Sequence, residues 1–121
     1  MASSDTEKQQ TKIGIKKVGA SNVVEPGKSL TYQNCKELED LIKGLVGQNQ
    51  TRIILDCKNM SFLDSKGLEL LLQLHNELKN RGGAIKITGL NAVCRDILLS
   101  TRLINVFFVY EDIAEALRSY P

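Results

Sequence analysis

The sequence has no tryptophan, two prolines, one histidine and three cysteines among its 121 residues. Each shortage removes a class of explanation. Cys35, Cys57 and Cys94 are odd in number and far apart, so neither a zinc knuckle nor a C-x-x-C redox pair is encoded. A single histidine, His75, excludes a histidine-rich metal site. It also excludes a Ser/His or Cys/His catalytic group unless His75 itself serves it. An excess of one charge is missing too. Sixteen Lys and Arg stand against fourteen Asp and Glu, a formal net of +2, which offers no electrostatic case for direct nucleic-acid binding. No apolar run approaches the ~18–20 residues that cross a bilayer, so no membrane span is expected. Residues 1–11 (MASSDTEKQQT) lack the apolar stretch of a secretion signal and read as a disordered polar tail. Cysteine used in this way fits a reducing cytoplasm.

What remains is ordinary globular composition, 42% apolar and 25% charged, in a length that suits one domain. Residues 12–121 are therefore expected to fold as a unit. Residues 12–18 alternate apolar and polar through Ile13 and Ile15, and residues 23–25 (VVE) form a second short strand ended by Pro26-Gly27. Residues 34–46 place Leu38, Leu41, Ile42 and Leu45 on one helical face, with Asn34 as N-cap and Gly47 as stop. The β-branched run at 52–57 (RIILDC) reads as a buried central strand, with Cys57 a small core residue. Residues 58–63 are a connection. A helix over 65–80 carries Leu68, Leu71, Leu72 and Leu78 along one stripe, widened by Leu70 and Leu74, and Arg81-Gly82-Gly83 ends it. A strand at 84–88, a helix at 91–99 with Val93, Ile97 and Leu98 inward, a strand at 106–110 and a helix at 112–119 complete the chain.

Strands alternating with helices over short connections define an α/β domain. The expected fold is a single mixed, mostly parallel sheet of four to five strands with about four helices. In such sheets functional groups gather in loops beyond the carboxyl ends of the strands. The loop after Cys57 is the one with unusual chemistry, because it leads into Asp64-Ser65-Lys66-Gly67 at the start of the longest helix.

Asp64 or Ser65 caps that helix by accepting a hydrogen bond from a free amide of its first turn. A helix N-terminus also stabilises an added anion, and a phosphate on Ser65 would place nearly two negative charges beside Asp64 without disturbing the fold. Gly67 costs about 1 kcal/mol against alanine inside a helix, which marks a close approach by something else. Lys66 is a cation at the end where the helix dipole disfavours one.

Other motifs carry less. Gly27-Lys28-Ser29 matches the end of a P-loop, but position 22 is Asn where its first glycine belongs, so the segment reads as a turn. Asp56 and Asp64 are two carboxylates near one sheet end; Asp56 is expected to satisfy loop amides rather than hold a metal. His75 falls on the apolar helix face as a core or boundary residue. Residues 107–110 (FFVY) read as core and edge packing, because no basic groove accompanies them.

Residues 53–68 (IILDCKNMSFLDSKGL) resemble the signature of the STAS domain, shared by anti-sigma factor antagonists and sulphate transporters. The family pattern is an apolar strand ending in Asp, a short link, an apolar pair, then Asp-Ser-Ser/Thr-Gly-Leu. Gly89-Leu90-Asn91 followed by Val93, Leu98 and Leu103 is similar to its continuation, and Val23-Val24-Glu25 with Gly27 and Leu30 to its early strand and turn. The resemblance spans roughly residues 12–119. It implies an anti-sigma factor antagonist, not an enzyme, that works without a cofactor. Its implied partners are an anti-sigma factor serine kinase, which phosphorylates Ser65 and so abolishes binding, and a serine phosphatase, which restores it. The implied partner-binding residues are Asp64, Ser65, Lys66 and Gly67 with Ser29 and Thr31 of the early turn. Two positions depart from the pattern: Lys66 replaces the second hydroxyl residue, and Thr31 stands where an acidic residue is usual. The alternative implied by the same family is a STAS binding subunit of a signalling scaffold or transporter complex without sigma-factor control.

Overall fold

The β-branched runs and leucine-rich segments alternate into a five-stranded sheet of order β1-β2-β4-β6-β7 flanked by four helices, in a computed structural model that describes residues 13–120. The polar tail expected at residues 1–11 lies outside the described residues. The strands are β1 (Gly14–Val18), β2 (Ser21–Glu25), β4 (Arg52–Asp56), β6 (Ala84–Thr88) and β7 (Phe108–Tyr110). Only the β1–β2 hairpin is antiparallel; β2–β4, β4–β6 and β6–β7 are parallel. The helices are α1 (Cys35–Gly47), α2 (Ser65–Asn80), α3 (Ala92–Ser100) and α4 (Ile113–Arg118).

The pleat sorts β4 to both faces. Ile53 and Leu55 join the larger core, where α1, α2 and α3 bury Leu38, Ile42, Leu71, Leu74, Leu78 and Leu98. Ile54 faces the other way, with Val23, onto Ala116 of α4. A central parallel strand buried on both faces needs the continuous apolar run that β4 has.

Six expectations shift. The connection at 58–63 contains a strand, β5 (Phe62–Leu63), which pairs in parallel with β3 (Ser29–Leu30) as a separate two-stranded sheet. The turn expected around Ser29 is therefore partly strand. The buried stripe of α2 runs through Gly67, Leu70, Leu71, Leu74, His75 and Leu78, leaving Leu68 and Leu72 half-buried. In α3 the inward residues are Cys94 and Leu98, while Val93 is 52% exposed. The last strand starts at Phe108, because the amides of Val106 and Phe107 bond back to the Leu103 carbonyl and close a 3₁₀ turn (Leu103–Asn105). On the edge strand β1, Ile15 is exposed.

Both long helices end by the same device. After α1, Asn49 adopts φ +62°, and the amides of Asn49 and Gln50 bond the carbonyls of Val46 and Leu45. After α2, Gly82 takes the corresponding position at φ +79°, with Gly82 and Gly83 bonding Lys79 and Leu78. This paired closure satisfies carbonyls that the helix leaves free.

Candidate functional site

The small β3–β5 sheet sets the geometry of the loop region beside α2. Its register pairs Ser29 with Phe62 and Leu30 with Leu63, so the turn after Leu30 lies against the segment that enters α2. The Asp64 amide donates to the Leu30 carbonyl at 3.1 Å, extending this contact by one residue.

Asp64 is the N-cap of α2. Its Oδ1 accepts from the Gly67 amide at 2.9 Å, so of the two caps that the sequence allows it is Asp64 that serves. Its Oδ2 accepts from the Tyr32 amide at 3.1 Å, which ties the early turn to the helix start. The Gly67 amide lowers the Asp64 pKa most, opposed by desolvation and aided by the Tyr32 amide. A carboxylate held this way stays ionised and is committed to architecture.

Gly67 answers its own cost. It is buried, and a Cβ built on it would collide with the Leu30 carbonyl oxygen and stand 3.1 Å from the carbonyl carbon and from Cγ. The close approach expected from the sequence is made by the chain itself, at the end of β3. Gly67 therefore presents nothing to a partner directly; it lets β3 reach α2.

Asn34 departs from its expected role. It stands at the N-cap position of α1, yet its side chain makes no cap bond. It is buried, donating from Nδ2 to the Ser29 carbonyl at 2.7 Å and the Pro26 carbonyl at 3.4 Å, while Oδ1 accepts from the Thr31 amide at 2.9 Å. The amides of Asn34 and Cys35 bond the Thr31 carbonyl instead. Asn34 thus pins the whole 26–31 turn, including Ser29 and Thr31, both half-buried.

Ser65 and Lys66 are the expected site residues that face solvent. Ser65 occupies the first helical position, and the first-turn amides of a helix have no intrahelical acceptor. Lys66 is exposed, with Nζ 3.8 Å from the Glu69 carboxylate one turn on, a solvated pair of little energetic weight. Two further residues complete the surface, and the sequence reading did not single them out. Tyr32 is 70% exposed and its amide bonds Asp64; Phe62 is 48% exposed and lies two residues before Asp64. Exposed aromatics are enriched where proteins dock partners. In one dimension Phe62 is only half of an apolar pair, and its outward face follows from β5 being a strand whose neighbour Leu63 points inward.

Asp56 behaves as a loop-satisfying carboxylate. It is buried, Oδ1 accepts from the Lys58 amide at 3.2 Å, and Oδ2 lies 3.5 Å from Lys58 Nζ. Among the described residues no three His, Cys, Asp or Glu side chains approach closely enough to hold a metal ion. Cys57 and Cys94 are buried, and burial pushes both thiols up, away from reactive thiolate.

Comparison with known proteins gives the family and the fold. Residues 12–116 match the STAS domain family, and the chain belongs to it. No curated protein gives a significant match. Among solved structures, the fold resembles TM1081 of Thermotoga maritima, a candidate anti-sigma factor antagonist, at 19% identity over 92% of this chain and 96% of that one, with a TM-score of 0.83. The Bacillus cell-fate determinant SpoIIAA in its phosphorylated form matches at 20% identity over 88% and 97%, with a TM-score of 0.70. The murine anion transporter Slc26a9 matches at 14% identity over 96% of this chain but 23% of its own length, with a TM-score of 0.75. No helix among the described residues is long and apolar enough to cross a membrane.

Proposed function

We propose that this protein is a partner-switching anti-sigma factor antagonist, whose docking surface is centred on Ser65 and which phosphorylation of Ser65 turns off. The observation that carries this reading is the division of labour at the start of α2. Asp64 and Gly67 are consumed in holding the site together, whereas Ser65 is exposed at the first helical position and free to react. A phosphoryl group there gains from the helix dipole and from free first-turn amides, so modification leaves the fold intact. It also adds nearly two negative charges between Tyr32, Phe62 and Lys66, where a partner would otherwise bury the two aromatics. The partner of the unmodified form is an anti-sigma factor serine kinase, and a serine phosphatase resets the switch. Phosphorylated SpoIIAA supports the reading as a structural relative, and a cytoplasmic setting suits it.

The likeness to Slc26a9, with Lys66 in place of the usual hydroxyl residue, favours a second reading as a STAS binding subunit without sigma-factor control. One experiment separates the two. The protein is recovered from its native cells, grown with and without stress, and Ser65 is examined by phosphopeptide mass spectrometry with a Ser65→Ala strain as control. Ser65 phosphate whose occupancy follows conditions, with a kinase captured by the unmodified protein and lost with Ser65→Asp, is the expected result. Ser65 unmodified under every condition, with partners captured equally by Ser65→Asp, overturns the switch and favours the second reading.

A further inference from the structure

At the other end of α2 lies a cleft that the Ser65 surface does not use. It is about 460 Å³ in volume, within the ~300–1,000 Å³ typical of small-molecule sites. Its walls come from the last turns of α2, the start of β6, β7 and the residues after α4, and include His75, Lys79, Lys86, Phe108, Tyr110 and Tyr120. His75 and Lys79 lie ten and fourteen residues beyond Ser65 along α2, or ~15–21 Å at ~1.5 Å per residue. Topology opens the cleft. β7 pairs with β6 only from Lys86 to Thr88, so Ala84 and Ile85 have no β7 partner.

Three polar groups of this wall are incompletely matched by the protein. Lys86 is 7% exposed, and its ammonium donates to Ser119 Oγ and sits 3.5 Å from the Tyr120 ring centroid and 5.6 Å from that of Tyr110. No carboxylate among the described residues lies within 4 Å of it, and the lining holds no Asp or Glu. His75 is 5% exposed, packs edge to face on Phe107 with centroids 5.4 Å apart, and its Nδ1 has no partner among the described residues. The buried Tyr120 hydroxyl has none either. The Arg52 guanidinium, outside the cleft lining, lies 4.8 Å from the Tyr120 ring centroid. Buried polar groups are almost always hydrogen-bonded, and a buried ammonium without an anion is costly. An ammonium without an anion, in a cleft walled by aromatic rings and free of acids, describes the complement of a flat ring bearing a negative charge.

We infer that the cleft between the C-terminal turns of α2 and the β6–β7 edge is a binding site for a small aromatic carboxylate, with its anionic group on Lys86 and its ring against the aromatic walls. Lys86 and Lys79 supply positive charge, and the rings of Phe108, Tyr110 and Tyr120 supply the apolar walls. Phe108, half-exposed on the edge strand, covers the ring. The site is separate from the Ser65 surface, and its occupancy does not depend on the function proposed there.

The test uses the full chain, labelled with ¹⁵N, and three probes that share one ring: benzoate, neutral benzamide and cationic benzylamine. Benzoate is expected to give saturable amide shifts at Ala84, Lys86, Phe108 and Tyr110, with the other two probes about tenfold weaker or more. Lys86→Met is expected to weaken benzoate by about tenfold with an unchanged amide spectrum elsewhere, and Ser65→Asp to leave it unaffected. If Lys86→Met does not fold, Lys79→Gln, on the exposed rim, is expected to weaken benzoate several-fold. Equal binding of benzamide, shifts scattered away from the cleft, or full benzoate affinity in the lysine variants overturns the site. Shifts at the cleft that follow protein concentration alone also overturn it, and assign the surface to a second copy of the chain.

Discussion

Gly67 of α2 and Leu30 of β3 are packed so closely that no side chain fits between them: a Cβ on Gly67 would collide with the Leu30 carbonyl oxygen. The contact joins the two segments that build the Ser65 surface. Gly67→Ala gains about 1 kcal/mol of intrinsic helix propensity but overpacks a backbone that has nowhere to go, at a cost of about 1–3 kcal/mol. Net destabilisation is the expected outcome in urea unfolding. A higher midpoint for the alanine variant would show that β3 yields.

Asp64 carries a pH dependence of known sign. Its pKa is lowered in the folded protein, chiefly by the Gly67 amide and further by the Tyr32 amide. Its contribution is therefore complete above the unfolded value of ~3.9 and lost as pH falls through the lower folded value. Asp64→Ala is expected to cost about 1 kcal/mol near neutral pH, the usual worth of an N-cap, and progressively less below pH ~4. Thermal melts of both proteins across this range check it. A difference that stays constant with pH would mean that the neutral acid caps equally well.

Asn34 is the largest single polar commitment of the site. Replacing it with alanine strands the Ser29 carbonyl and the Thr31 amide in a buried turn. Each orphaned buried group costs about 1–3 kcal/mol, so Asn34→Ala is expected to be among the most destabilising polar changes in the chain. Asn34→Asp keeps the acceptor for Thr31 but loses the donor to Ser29, and should fall between. Denaturant midpoints of the three proteins rank them; an Asn34→Ala loss no larger than an ordinary helix cap would return Asn34 to that role.

Ser65 should be nearly silent in stability and decisive in binding. Ser65→Ala and Ser65→Asp are each expected within about 0.5 kcal/mol of the parent, because the side chain is exposed and an acid suits the first helical turn. Tyr32→Ala and Phe62→Ala should likewise fold, yet weaken capture of the kinase partner by roughly tenfold or more each if they anchor the interface. Equilibrium unfolding and pull-down yield together give both readings. Full capture by the Tyr32→Ala and Phe62→Ala double variant would move the docking surface elsewhere.

Lys66 tests whether the departure from the family motif is functional. Lys66→Ser removes an unfavourable charge–dipole contact worth about 0.3–1 kcal/mol, against a weak exposed pair with Glu69. A slightly raised melting temperature is expected. If phosphorylation of Ser65 is also faster in the serine variant, the lysine slows the switch; an unchanged rate shows that the kinase does not read this position.

The parts legible in the sequence are those set by local chemistry repeated over enough residues. The β-branched run of β4, the extent of the α2 helix and a cap at its start follow from rules that act within one or two turns of chain; packing then rotated the buried stripe of α2 and chose Asp64 over Ser65 as the cap. The alternation of strands and helices in one mixed, mostly parallel sheet followed as well. What was not legible is what pairs distant segments. β3 and β5 are two residues each, too short for a period to register, and exist because Ser29–Leu30 and Phe62–Leu63 satisfy one another's backbone across thirty-three positions of sequence. Asn34 has the composition of a cap and the job of a staple, since the Thr31 amide takes the Oδ1 that a cap would use while Nδ2 donates to the Ser29 carbonyl. The sequence by itself determined the α/β class, the family and the serine at the helix start. Tertiary packing alone decided that Gly67 faces Leu30, that the Tyr32 amide meets Asp64, and that Lys86 and His75 line one cleft. Those contacts join residues whose spacing along the chain carries no trace of their distance in space.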